Sequence, residues 1–183
     1  EVSIKTTEGT TVLHTYDSTE MSDLAKGNNI KYSSIDNMPA TVRTIATGVY
    51  IEDLLDDIQQ YTDIDVWEFS KLRFISTDGA KGIFTYDDLF EDRYYFSSLH
   101  EAGHGLDEDG EITYDVGEGT LVKPMLSIDA EQERLPSPSG DDRGVYYPEQ
   151  YTILFGMSES ELDNVEKRTS DYKRGVCQLV IDM

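Results

Sequence analysis

Residues 100–104, His-Glu-Ala-Gly-His, hold the side chains in this chain that are best spaced for chemistry. On a helix, positions i and i+4 place both imidazoles on one face, and the glutamate between them can activate a zinc-bound water. His100 and His104 are therefore the candidate metal ligands, with Glu101 as the base of a zinc-dependent hydrolase. Such a site needs a third protein ligand. The histidine of the extended zinc motif would fall at position 110, which is Gly110. The remaining histidine, His14, lies far upstream, and Glu118, Glu131 and Glu133 are the acids left to complete the set.

Asp107-Glu108-Asp109-Gly110-Glu111 follows at once and resembles a calcium loop. With Gly110 at the invariant glycine, Asp107, Asp109 and Ile112 fall in register with an EF-hand. The first ligand position is then Gly105 and the closing bidentate position is Val116, so the set is incomplete at both ends.

The elements that would carry these residues read differently from a peptidase. Arg93-Tyr-Tyr-Phe96 favours strand, and the glycine-rich stretch after His104 stops a helix. Residues 97–120 carry five glycines and read as one long loop, with a possible hairpin at Asp109-Gly110. Upstream, residues 1–16 read as a hairpin turning at Glu8-Gly9. Residues 17–27 read as a short helix capped by Ser18 or Thr19 and stopped by Gly27. Two extended segments, 29–35 and 41–49, flank Asp36-Asn-Met-Pro39.

The clearest helix starts at Tyr50, with Ile51, Leu54, Leu55, Ile58 and Tyr61 on one stripe and acids in its first turn. Residues 70–79 and 82–90 read as a hairpin turning at Asp78-Gly79, and 120–128 as one strand carrying Pro124. Residues 134–144 read as a second loop and 151–157 as a strand. Ser158 and Glu161 form a capping-box pair for a short helix. The chain ends in a strand with Cys177, Leu179, Ile181 and Met183 on one face. Strands outnumber helices, so the class is α+β, β-rich with short helices.

The chain has 183 residues, fitting a single domain, 1–183, with a core of its own. With 37 acids against 15 bases the net charge is −22. That excludes a basic footprint for nucleic acid and disfavours docking on an anionic membrane. No apolar run approaches the roughly 20 residues of a membrane-spanning helix. A single cysteine, Cys177, excludes an internal disulfide and a cysteine-rich zinc site. Cys177, within an apolar strand, reads as a small buried hydrophobe, and the Asp53, Asp56, Asp57 group as the wet side of a helix. Trp67 and Phe69 read as core. The chain starts Glu-Val-Ser without an initiator methionine, and the expectation is an exported polypeptide from which a leader or preceding domains were removed.

Several segments in order resemble the molybdopterin-binding domain of the sulfite oxidase family, in the degenerate form found in surface proteins of Gram-positive bacteria. They are residues 32–39, 48–58, 72–89, 93–96, 122–128 and 154–156, spanning about 30–183. The resemblance implies a sulfite-oxidase-like α+β fold around a cofactor cleft. It also implies a cysteine thiolate on molybdenum from the segment corresponding to 30–47. That segment has no cysteine, and Ser33 or Ser34 is no soft ligand to replace one. The fold therefore carries over and the catalytic residues do not. Within this frame 97–120 is an insertion in a connecting loop.

The expected function is thus a non-catalytic, exported or cell-surface module of a bacterium. It would bind an unidentified ligand, or serve as a structural part alongside other domains of a larger surface protein. No cofactor is expected, although zinc or calcium at His100 and His104 remains open. The alternatives are the zinc hydrolase and a molybdopterin oxidoreductase relic.

Overall fold

The computed structural model describes residues 4–36, 40–101, 112, 116–135 and 145–183. His104, the calcium-like loop, the Asp109-Gly110 turn and residues 136–144 lie outside the described residues. The fold is a strand-rich α+β arrangement of two larger sheets, a two-stranded ribbon and short helices.

The chain opens with the hairpin β1 (Ile4–Glu8) and β2 (Thr11–Tyr16), turning at Gly9 with φ +54°. Helix α1 (Ser18–Leu24) follows. Its N-cap is Asp17 rather than Ser18 or Thr19. The Asp17 carboxylate accepts from the Thr19 and Glu20 amides, and Glu20 reaches back to the Asp17 amide. An acid one residue earlier closed the capping box first. Strands β3 (Gly27–Ile35) and β4 (Thr41–Tyr50) form the second hairpin.

Helix α2 (Ile51–Ile58) buries Ile51, Leu54, Leu55 and Ile58 completely, at about 1.5–3 kcal/mol each. The stripe ends there. Residues 59–61 tighten into a 3-10 turn and Tyr61 leaves the core, 44% exposed, to stack on His14 at 4.0 Å. The helix is wet on its acidic side, though each acid meets a donor: Asp53 takes Lys26, Asp56 the Trp67 indole and Asp57 the Tyr16 hydroxyl.

Strands β5 (Lys71–Ser76) and β6 (Lys81–Phe84) form the expected hairpin. The return strand is shorter than the sequence suggested, because Thr85 caps a helix, α3 (Tyr86–Phe90), through a Thr85–Asp88 capping box. Strand β7 (Arg93–Tyr95) runs into a 3-10 turn, Ser97–His100. The segment 120–128 is two strands, β8 (Thr120–Val122) and β9 (Met125–Leu135). Pro124 has no amide hydrogen for a ladder and breaks the run. Its carbonyl accepts from the Ile51 amide at 3.0 Å, satisfying an otherwise orphaned donor at the start of α2.

Strand β10 (Val145–Leu154), helix α4 (Glu159–Asp163) and strand β11 (Val176–Asp182) complete the chain. The Ser158–Glu161 capping box forms as read. On β11 a register irregularity between Val176 and Gln178 breaks strict alternation. Leu179 and Ile181 are buried, Cys177 is half-buried and Met183 is 47% exposed.

One sheet has the order β2-β1-β11-β5-β6, with β1 and β11 parallel, and the other the order β10-β9-β4-β3. The main core lies between them and α2, around Tyr32, Val49, Phe74, Leu126, Phe155 and Leu179. Phe69 joins it, while Trp67 is only partly buried. A second, smaller core joins Ile35, Phe96, Leu99, Met157 and Leu162. Ile112 and Val116 pack on it, so both ends of the long loop are anchored there.

At the register shift between β4 and β9, a Cβ on Gly48 would sit 2.5 Å from the Ser127 Cα and closer still to the Leu126 carbonyl. The obstacle is backbone, so nothing can swing aside. Gly48→Ala is expected to lose about 2–3 kcal/mol of stability in urea unfolding, as overpacking in a filled core does.

Candidate functional site

His100, one of the two sequence-derived ligands, is only 8% exposed. It closes the Ser97–His100 turn, and Glu101 next to it has φ −83° and ψ 149°, extended backbone. The helix that would align positions 100 and 104 does not run through Glu101. Pulling Leu99 into the second core takes His100 inward with it.

The imidazole Nε2 lies 3.0 Å from the Ser33 hydroxyl of β3. A serine beside a histidine suggests a nucleophile and its base, but the proton bookkeeping points the other way. Ser33 Oγ already accepts from the Phe96 amide at 3.0 Å and has the Phe96 carbonyl at 3.3 Å as an acceptor. If Ser33 donates to that carbonyl, Nε2–H donates to Ser33, and His100 is left with one buried lone pair at Nδ1. The opposite tautomer leaves a buried N–H without an acceptor, which is costlier. In the favoured arrangement the imidazole donates to the serine and cannot take its proton. Ser33 is also fully buried, beyond reach of a substrate. Burial, aided by the nearby Arg43 guanidinium, pushes the His100 pKa down to about 3, so the ring is neutral through the physiological range.

What His100 does touch is Tyr95. The two rings are parallel within 4° at 5.7 Å between centroids. Arg43, which pairs with Glu133 on β9, stands near the Tyr95 ring. Backed by the His100 imidazole, Tyr95 forms a wall.

That wall faces a groove of about 480 Å³ between the β3–β4 hairpin and the β7–β8 ribbon. Its other sides are residues 29–31 of β3, Tyr50 at the end of β4, and residues 120–123. The volume suits a small organic ligand. The Tyr32 hydroxyl donates to the Lys123 carbonyl at 2.8 Å and ties β8 to β3 from below. Lys31 Nζ stands 5.9 Å over the Tyr95 ring, and Lys123 Nζ 5.7 Å over Tyr50. Lys123 is also paired with Glu52, whose hydrogen bond raises its pKa. Leu121 on the rim is 60% exposed, an apolar side chain without cover among the described residues.

None of these groove residues stood out in the sequence. They come from segments far apart along the chain, and the one usable signal was the scarcity of bases, which makes two lysines facing two tyrosines unusual.

Among the described residues no three His, Cys, Asp or Glu side chains converge so as to hold a metal ion. The cofactor implied by the sulfite oxidase resemblance also finds no fit. Ser33 is engaged as above, Ser34 accepts from Thr169 at 2.8 Å, and both are fully buried. Cys177 lies on β11 in the other sheet, its Sγ 3.5 Å from the Ile75 carbonyl. No thiolate is offered where a molybdenum would need one. Among the described residues no helix is long and apolar enough to cross a membrane. No family model matches the chain, and no curated protein matches it.

Proposed function

We propose that this chain is a non-catalytic binding module, an exported or cell-surface part of a larger bacterial protein, built on a sulfite-oxidase-like frame. Its ligand site is the groove walled by Tyr50 and Tyr95. One observation carries the reading: in a chain of net charge −22, two of only 15 bases stand over two tyrosine rings around an accessible groove of ligand size. The pair with catalytic residue types, Ser33 and His100, is buried behind Tyr95 and hydrogen-bonded in the wrong sense for attack. It supports the groove instead. The segment ordering described above supports the frame, and the lack of a cysteine in 30–47 supports a role without molybdenum chemistry.

A survey of backbone amide shifts tests the site. Small neutral, cationic and anionic fragments added one at a time are expected to move the amides of residues 29–31, 50, 95 and 120–123 together. Shifts confined to another surface, or none with any fragment, would refute the assignment.

A further inference from the structure

The groove's charge and surface specify what enters it, an inference that rests on the groove being the ligand site. Of its two ammonium groups, Lys123 is matched by Glu52. Lys31 has no acidic partner among the described residues and is exposed on the edge strand β3. Among the described residues the groove thus offers one positive charge without an acidic partner. A single carboxylate matches it, whereas a polyanion would meet one cation and the repulsion of a −22 chain.

The remaining lining is largely apolar. Ile30, Val122 and the exposed Leu121 supply the aliphatic floor and rim, and the tyrosine rings supply the walls. Tyr95 is stacked on the buried His100 ring, so less of its freedom is lost when something packs against it. Thr120 and Asn29 add polar groups to the lining. The Asn29 amide is tied to Thr47 Oγ1 at 3.2 Å, and its backbone is held at φ +52° at the β3–β4 register shift.

We propose that the groove binds a small monoanionic organic acid with a planar apolar body, its carboxylate on Lys31 and its body on Leu121, Val122 and the tyrosines. The contact with Lys31 is charge-assisted, and the body gains by leaving water.

Three probes separate the contributions: 1-naphthoate, the neutral 1-naphthalenemethanol of similar size, and inorganic phosphate. Each is titrated into the whole chain while the amides of 120–123 and 29–31 are followed. Naphthoate is expected to saturate these shifts, with the alcohol and phosphate each about tenfold weaker or more, since each lacks one of the two contributions. Lys31→Ala is expected to weaken naphthoate about tenfold and the alcohol by much less, about twofold at most; Lys31→Glu should weaken naphthoate further. Lys31 is exposed, so neither substitution threatens the fold.

Equal binding of acid and alcohol, an unchanged affinity in Lys31→Ala, or phosphate binding as well as naphthoate would overturn the proposal while leaving the groove as the site. If none of the three probes, nor any cationic fragment, moves groove amides, the site assignment fails with it.

Discussion

Lowering the pH from 7 to 5 is expected to remove about 2 kcal/mol of stability through His100 alone, and about 3 kcal/mol by pH 4. The folded imidazole, buried and close to Arg43, has its pKa lowered from 6.5 to about 3. Between those values the unfolded chain takes up a proton that the folded chain refuses. Its contribution is therefore complete above pH 6.5 and declines as the pH falls towards 3. Carboxylates titrate over part of the same range, so the comparison is with His100→Asn, which keeps a polar side chain without the titration. The stability difference between the two proteins, from urea unfolding, should be constant above pH 6.5 and shift by about 1.4 kcal/mol per pH unit below it. A difference that stays constant from pH 7 to 4 would show that His100 ionises freely and is not buried as described.

Replacing Glu161 by Gln is expected to cost about 3–5 kcal/mol, the typical penalty for removing one partner of a buried ion pair. Arg93 is 2% exposed and Glu161 4%. The carboxylate receives Arg93 Nη1, Arg168 Nη1 at 2.6 Å and the Ser158 amide at 2.9 Å. The two guanidiniums also stand over Phe155, at 5.6 and 5.3 Å from its ring centre. One carboxylate thus joins β7, α4 and the Thr169–Asp171 turn around a core aromatic ring. Without its charge two arginines crowd each other in low dielectric. The exposed Lys123–Glu52 pair is the internal control: Glu52→Gln should change the urea midpoint by the equivalent of at most about 1 kcal/mol. Equal effects from both substitutions would deny Glu161 its structural role.

Much of the local structure was legible in the sequence, and the reasons are physical. The α2 stripe, the Gly9 and Gly79 turns and the Ser158–Glu161 cap each depend on residues a few positions apart. Errors arose where two local signals competed. Asp17 outbid its neighbours as a cap, and Thr85–Asp88 ended a strand that β propensity would have continued.

The histidine motif depends on more than its spacing. Its spacing has meaning only on a helix, and the backbone leaves helical geometry at Glu101 because Leu99 is needed in the second core. Its other histidine, His104, lies outside the described residues. The groove could not be seen in the sequence at all. Lys31, Tyr50, Tyr95 and Lys123 meet only because β3 and β4 pair, β7 and β8 pair, and Tyr32 joins the two.

His100 changes meaning most between sequence and structure. Read from spacing it is a candidate ligand; in the structure its ring stacks on Tyr95, a wall of the proposed binding groove.

The most direct test of that account follows both places in one sample. The ring nitrogens of His100 and the amides of the groove are recorded by NMR while zinc, and then 1-naphthoate, are added. The account predicts that zinc leaves the His100 ring nitrogens where they were and that naphthoate moves the amides of residues 29–31 and 120–123. Stoichiometric zinc shifting a His100 ring nitrogen, with the groove silent to every fragment, would contradict it.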